Sequence, residues 1–163
     1  MTYTFSNISE EDRKPVIDIF NYYIENSFAA YLEKKVAYDF FDIFLTLFKG
    51  YPSIKAKDSD GRLVGFSFLR AHHPASTFMQ TAEVTYFILP DHTRKGIGRY
   101  MLDQISKDAK QNKISNLLAN ISSLNPASIA FHQKSGFVEC GRFRNTGRKN
   151  GTLFDVIWMQ KIL

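Results

Sequence analysis

Apolar residues along the chain change between two spacings, and the changes predict the order of its elements. Val16, Ile19 and Tyr23 recur every three or four positions, which is typical of a helix with one buried face. The stretch Thr81–Leu89 is instead strongly apolar without that spacing and stops at Pro90, as expected of a buried strand. The same criteria applied along the whole chain predict the order β-α-α-β-β-β-α-β-α-β-β.

Turn and capping residues set the predicted limits of these elements. The helix after Asn125 begins with the favoured pair of Asn at the N-cap and Pro126 at the first position, and Gly136 follows its end. The predicted strands are Tyr3–Ser6, Ser53–Lys57, Leu63–Arg70, Thr81–Leu89, Ser115–Ser122, Val138–Asn145 and Thr152–Met159. Three other helices are predicted: the first begins after Ser9, and the next two cover Tyr38–Phe48 and Gly98–Gln111. A closing hairpin is predicted to turn at Gly147–Gly151. No repeat or linker divides the sequence, so residues 1–163 are expected to form a single α/β (α+β) domain with a mixed sheet.

Composition narrows the class of protein. Of the 163 residues 44% are hydrophobic, and 15 Phe, 8 Tyr and 1 Trp are more aromatic residues than a disordered or coiled-coil chain carries. The single cysteine, Cys140, excludes an internal disulfide framework and a multi-cysteine metal site, and we interpret it as a buried, inert thiol. No metal is expected. The chain shows neither a signal peptide nor an 18-residue apolar stretch, so we expect a cytoplasmic protein with no membrane partner.

The charge balance leaves the type of partner open. The chain has 21 Lys and Arg against 16 Asp and Glu, which gives a net charge of +5. A basic domain can bind nucleic acid, a membrane surface or a phosphorylated small molecule, or can simply be soluble.

A glycine-containing loop between the apolar strand and the next helix predicts an anion site. Gly96 and Gly98 let the backbone curl and approach a ligand. Consecutive amides at a helix N-terminus favour a phosphate, and Arg94, Lys95 and Arg99 add positive charge. The loop lacks the Gly-Lys-Ser/Thr ending of a Walker loop and the third glycine of a dinucleotide fingerprint. A tight turn that needs two glycines would look the same.

The position of this glycine-containing loop in the chain favours the anion site over a simple tight turn, because nearly the whole sequence resembles the GNAT acetyltransferase superfamily. The resemblance is strongest to the branch that acts on phosphinothricin and on methionine sulfoximine or sulfone. It is carried by Asn21-Tyr22-Tyr23-Ile24, Ala82-Glu83-Val84, Pro90-Asp91-His92, Asn125 with Ser128, His132, Lys134 and Gly136-Phe137, Gly147-Arg148-Lys149-x-Gly151, and Asp155-Val156. Thr93 departs from the superfamily, which usually has Arg or Gln there.

The resemblance implies a fold and a cofactor. It implies a mostly antiparallel sheet flanked by helices, a central strand that splays from its neighbour, acetyl-CoA as co-substrate, and a homodimer. The pantetheine and thioester would meet the amides of Phe87, Ile88 and Leu89, with that of Phe87 nearest the thioester carbonyl. The remaining residues implied to bind the cofactor are Arg94, Lys95, Gly96, Ile97, Gly98 and Arg99 of the loop, with Asn125, Ser128 and Lys134.

Transfer of an acetyl group to an amine also needs a base and a way to stabilise the leaving thiolate. Glu83 is the candidate base, because apolar surroundings such as those of this strand disfavour the charged form of a carboxylate and so favour proton uptake. The resembling family uses a glutamate in this context. A glutamate at a strand edge that faces solvent is the alternative. His132 stands where many superfamily members have a tyrosine acid; histidine suits proton donation near neutral pH, but a helical histidine is more often structural. Asn125 is either a helix cap or a contact to the pantetheine, and the cap alone explains it.

The acceptor is expected to be a small amine. Phe28 and Arg70 are the candidate substrate residues, because the guanidinium of Arg70 can bind a carboxylate, although simple solvent exposure explains it equally well. Where the resembling branch usually has further Arg and Tyr just before the central strand, this chain has Ala-Ser-Thr-Phe-Met-Gln at 75–80, and it has Leu153 where the branch often has Trp. Both changes make the pocket more apolar, so the resemblance leaves open whether phosphinothricin itself is the acceptor.

Two alternatives come from other classes. A protein acetyltransferase needs an open groove, against which the bulky loop Phe28-Ala29-Ala30-Tyr31 argues. A nucleic-acid-binding domain needs aromatic residues interleaved with basic ones, and the cluster Arg142–Lys149 contains only Phe143. With Arg94, Lys95 and Arg99 assigned to a phosphate-bearing cofactor, the positive charge needs no nucleic acid.

Overall fold

The sheet of this protein has seven strands, in the order β1-β2-β3-β4-β5-β7-β6. A computed structural model describes residues 2–163. The strands are β1 (Thr4–Ser6), β2 (Ser53–Lys57), β3 (Leu63–Ala71), β4 (Thr81–Ile88), β5 (Asn116–Ser122), β6 (Val138–Lys149) and β7 (Thr152–Ile162). Neighbouring strands are antiparallel except for β4 and β5, which run parallel. This confirms the predicted mixed, mostly antiparallel sheet.

Four helices connect the strands and follow the predicted order. They are α1 (Arg13–Asn26), α2 (Phe41–Leu47), α3 (Ile97–Gln111) and α4 (Pro126–Lys134). The largest departure from the prediction is in the last hairpin, where both strands are longer than the alternating pattern indicated. Only Asn150 and Gly151 form the turn, with φ of 48° and 80°, so the glycine at 147 belongs to β6 rather than to the turn.

Apolar side chains pack on both faces of the sheet. One core lies between the sheet and α3, where Met101, Leu102 and Ile105 contact Ala82 and Leu117. The other lies under α1 and α2 and is rich in phenylalanine, with Phe41, Phe66, Phe68 and Phe87 among its members. Successive residues of a strand point to opposite faces, so β4 contributes side chains to both cores. A strand buried on both faces reads as a continuous apolar run, which is why β4 was recognisable.

The parallel pair β4 and β5 separates partway along its length. The two strands pair only where Thr81, Ala82 and Glu83 face residues 116–118. Beyond Glu83, β4 stays paired with β3 as far as Ile88, and β5 stays paired with β7 as far as Ser122. A gap therefore opens in the sheet between the last residues of β4 and β5. The predicted splayed strand pair is confirmed.

Two further expectations concern the surface. Cys140 is exposed, and its Sγ donates to Trp158 O at 3.3 Å; the prediction of a buried thiol is wrong because β6 is an edge strand. No helix within residues 2–163 is long and apolar enough to span a bilayer.

Candidate active site

A cavity of about 330 Å³ lies at the gap between β4 and β5. Its floor is formed by Thr85, Tyr86 and Phe87 of β4, one side by Ser122 and His132, and the far side by residues 29–32 and by α2. A cavity of this size is in the range that proteins use for small ligands. The predicted site residues that line it are Arg70, Phe87, Asn125, Ser128 and His132.

The backbone of β4 turns only some of its amides toward the gap. The N–H of Leu89 donates to Val64 O at 2.8 Å, and the register with β3 is unbroken from Ile88 to Ala82. Because ladder bonds alternate along an antiparallel pair, the N–H of Phe87 also points to β3. The prediction that the amides of Phe87 and Leu89 face the cofactor is therefore wrong. The amides that face the gap are those of Tyr86 and Ile88.

The carbonyl of Ile88 points away from β3, as its N–H does, and is bound by a side chain of α1. The hydroxyl of Tyr23, on α1, donates to Ile88 O. Burial raises the pKa of Tyr23 to about 12, so this hydroxyl keeps its proton at any physiological pH. The carbonyl of Ile88 is thereby occupied within the protein, which leaves its N–H to meet a ligand.

The glycine-containing loop forms the N-terminus of α3, next to the end of β4. Gly96 is the N-cap with φ of 85°, a left-handed conformation that favours glycine. The first intrahelical bond is donated by the N–H of Tyr100 to Gly96 O at 3.0 Å. The amides of Ile97, Gly98 and Arg99 precede it and have no acceptor within the helix. A Cβ on Gly98 would stand 3.2 Å from Ile88 Cδ1, so the loop lies close against β4.

Charged side chains around this loop are exposed. Arg94, at φ of 60°, Lys95 and Lys134 all face solvent, and Arg99 Nε pairs with Asp103 Oδ2 at 2.8 Å on the same helix. Thr93, where the resembling superfamily has Arg or Gln, donates from Oγ1 to Pro90 O at 2.8 Å. The loop therefore offers backbone amides and flexible cations to an anion, and Thr93 serves the turn.

Glu83, the predicted base, lies with its carboxylate between two basic side chains. Arg70 Nη2 is 2.5 Å from Glu83 Oε2, and His72 Nδ1 is 2.9 Å from Glu83 Oε1. Arg70 and Glu83 face each other across β3 and β4, which puts both side chains on one face of the sheet. Glu83 is 7% exposed, whereas Arg70 and Val84 line the cavity beside it. The predicted base and the predicted substrate clamp thus form one ion pair at the cavity wall.

His132 lies on the opposite side of the cavity and belongs to a short hydrogen-bonded chain. Its Nδ1 is 2.7 Å from Ser128 O, so this nitrogen carries the proton and donates it. Its Nε2 accepts from the hydroxyl of Tyr86. Burial lowers the pKa of His132 to about 4, and burial also raises the pKa of Tyr86 well above its ordinary range. At neutral pH the imidazole is neutral and Nε2 has no proton to give. This geometry does not favour the prediction that His132 itself donates a proton, because its Nε2 accepts from the hydroxyl of Tyr86.

The start of α4 completes this side. Asn125 Oδ1 accepts from the N–H of Ser128 at 3.2 Å, which confirms the helix cap. Both residues also line the cavity. The contact of Asn125 with a pantetheine stays a prediction, since the cap alone accounts for the residue.

The wall opposite β4 comes from a segment without regular structure. Ala29, Ala30, Tyr31 and Leu32 line the cavity together with α2. Phe28 turns away and packs its ring against Phe154, with ring centroids 5.8 Å apart. The predicted substrate residue Phe28 is therefore not among the residues that line the cavity, whereas the four residues after it are.

Comparison with known proteins places these features in one family. Residues 6–158 match the family described as "Acetyltransferase (GNAT) domain". The chain is 32% identical over 115 residues to the phosphinothricin N-acetyltransferase of Alcaligenes faecalis. That match covers 70% of the chain and 58% of the relative.

Solved structures give the same result over nearly the full length. A phosphinothricin acetyltransferase from Sinorhizobium meliloti, crystallised in complex with acetyl-CoA, superposes with a TM-score of 0.93 at 27% identity and covers 100% of this chain and 89% of its own. A ribosomal-protein-alanine N-acetyltransferase from Brucella melitensis superposes with a TM-score of 0.91 at 30% identity, over 98% of this chain and 99% of its own.

Proposed function

The chain belongs to the GNAT acetyltransferase family, and on that premise we propose that it transfers the acetyl group of acetyl-CoA directly to the amine of a small amino acid or amino-acid analogue. The observation that carries the proposal is the gap between β4 and β5, where a cavity is lined by Arg70, the ion-pair partner of Glu83, while the start of α3 lies against Ile88 at the end of β4.

The hydrogen-bond donors and positive charges near the gap suit the phosphate and amide groups of coenzyme A. The amides of Ile97, Gly98 and Arg99 suit the pyrophosphate, and Arg94 and Lys95 add positive charge. The amides of Tyr86 and Ile88 suit the amide and thioester oxygens of the arm. Backbone donors fixed in a sheet are well suited to a developing oxyanion because they need no reorganisation.

Each side of the cavity has its own part in the reaction. Glu83 takes the proton of the acceptor amine across a bridging water, because its buried carboxylate does not itself line the cavity. The amine attacks the thioester carbonyl, the carbon–sulfur bond breaks, and the products are an amide and coenzyme A. The hydroxyl of Tyr86 stabilises the departing sulfur by turning its single O–H from His132 Nε2 to the sulfur.

Arg70 favours an acceptor with a carboxylate. One of its five N–H donors is used by Glu83, so others remain to bind a substrate carboxylate. The small cavity, closed by residues 29–32, favours a free amino acid over a protein chain.

The relative that acetylates a ribosomal-protein alanine gives the second candidate function. A thiol-release assay distinguishes them, with methionine sulfone, methionine sulfoximine and other free amino acids in one set and peptides with N-terminal alanine in the other. We expect acceptor-dependent thiol release with the free amino acids. Release with the peptides alone would favour the second candidate.

A further inference from the structure

The tip of the β6–β7 hairpin holds a buried cation that the proposed chemistry does not use. Lys149 is 2% exposed, and its Nζ donates to the carbonyl oxygens of Ile24, Ser27 and Ala30, each at 2.7 Å. An ammonium group has three donors, so all of them are used. A buried charge is costly unless it is well hydrogen-bonded, so this arrangement needs a reason.

The three carbonyls belong to the end of α1 and to the segment after it. The last carbonyls of a helix have no intrahelical donor and carry a partial negative charge, so they attract a cation. Lys149 therefore joins the end of α1 to residue 30, although these residues are more than a hundred positions away in the sequence. The segment 27–33, which we call the acceptor wall, has neither helix nor strand of its own.

A second set of contacts fastens the same segment. The N–H of Asn150 donates to Glu33 Oε1 at 2.7 Å. The ring of Phe154 packs between Phe28 and Tyr31, with ring centroids 5.8 and 5.6 Å away. A Cβ on Gly147 would lie 2.2 Å from Phe154 Cζ, so β6 needs glycine opposite this ring. The hairpin tip thus contacts the acceptor wall at its beginning, middle and end.

We propose that Lys149 is a positioning residue that orders the acceptor wall and thereby sets how tightly the acceptor binds. The inference rests on the proposed function for its kinetic part. Four of the wall residues, Ala29, Ala30, Tyr31 and Leu32, line the cavity, whereas the cofactor side is built from β4, α3 and α4. Loss of the cation should therefore affect the acceptor and spare acetyl-CoA.

Hydrogen–deuterium exchange and steady-state kinetics together test the inference. The variants are Lys149→Met, which keeps the length of the side chain and removes its donors, and Lys149→Arg, which restores donors. Lys107→Met, at an exposed position on α3, is the control. In Lys149→Met we expect amide exchange of residues 27–33 to rise about tenfold and the acceptor KM to rise about tenfold, with the acetyl-CoA KM changed by less than about twofold. Lys149→Arg should recover part of both effects.

A second variant keeps the test decisive if Lys149→Met does not fold. Glu33→Ala removes the acceptor of the Asn150 bond at an exposed position and should give the same pattern with smaller size. Unchanged exchange in the acceptor wall, or equal rises of both KM values, would overturn the inference. If the unaltered chain releases no thiol with any amine, the proposed function fails, and the exchange of residues 27–33 alone decides whether Lys149 orders the wall.

Discussion

The position of the Glu83 carboxylate is fixed by two basic side chains. Its two carboxylate oxygens contact Arg70 and His72, and its partner strand fixes that geometry. The pair Arg70 and Glu83 was within reach of the sequence, since the two predicted strands flank one connection and antiparallel pairing brings positions 70 and 83 together. His72 lies in the connection after β3, and nothing in the sequence marks its approach to Glu83.

Replacement of the carboxylate tests the role of Glu83. Glu83→Gln keeps an oxygen acceptor for Arg70 but cannot take a proton, so kcat should fall by about 100-fold or more. The matched control, Glu139→Gln, changes a half-exposed glutamate on β6 that pairs with Arg142. Stopped-time thiol assays at saturating acceptor measure both. A Glu83→Gln enzyme within about twofold of the unaltered kcat would exclude the base role.

His132 gives a prediction about stability rather than rate. Its pKa falls from 6.5 to about 4 on folding because it is buried. Between these pH values the unfolded chain binds a proton that the folded chain does not, so the folded state loses stability as the pH falls through this window. The loss should approach about 3 kcal/mol at the acid end.

Chemical denaturation at pH 7 and pH 4.5 measures this loss. His132→Gln has no imidazole to protonate, so its free energy of unfolding should change less between the two pH values than that of the unaltered chain. Equal changes in the two proteins would show that His132 is not the group responsible.

At the scale of elements, the end of β4 and the start of α3 form the cofactor side as one unit. The order of strand, loop and helix was predictable because Pro90, Gly96 and Gly98 mark it in the sequence. The sequence did not predict which amides face the gap, because the alternation of ladder hydrogen bonds depends on the register of β4 with β3. A shift of one residue exchanges the two sets, and no residue type records it.

Alanine substitutions at Gly96 and at Gly61 distinguish the cost of backbone strain from an effect on cofactor binding. Gly96 and Gly61 both have positive φ, 85° and 77°, and a Cβ would meet nothing within 4 Å at either position. Alanine at either site should therefore cost a similar amount, about 1 kcal/mol of stability. Only Gly96→Ala should weaken acetyl-CoA binding, because it disturbs the amides of α3, whereas Gly61 lies in the β2–β3 turn.

Titration calorimetry with acetyl-CoA distinguishes the two variants. We expect the Kd to rise about tenfold in Gly96→Ala and to stay within about twofold in Gly61→Ala. Equal affinities in the two variants would remove the loop from the binding site.

At the scale of the whole molecule, the sheet gathers groups that are distant in sequence around one cavity. Glu83 comes from β4, His132 from α4 and the acceptor wall from the segment after α1. The fold class followed from periodicity and turn residues, and the function from separated motifs in a familiar order. The carbonyl cage of Lys149 had no such signal, because backbone carbonyls occur in every residue and only the tertiary fold brings these three together. The homodimer stays a prediction.

Identification of the reaction product is the most direct test of the proposed acetyl transfer. Purified protein is incubated with acetyl-CoA and methionine sulfone, and mass spectrometry of the amine is compared with the thiol released. We expect one N-acetylated amine for each thiol, with both formed about 100-fold or more slowly by Glu83→Gln. Thiol release that does not depend on the amine, or an amine that stays unmodified across the whole set of free amino acids, would contradict it.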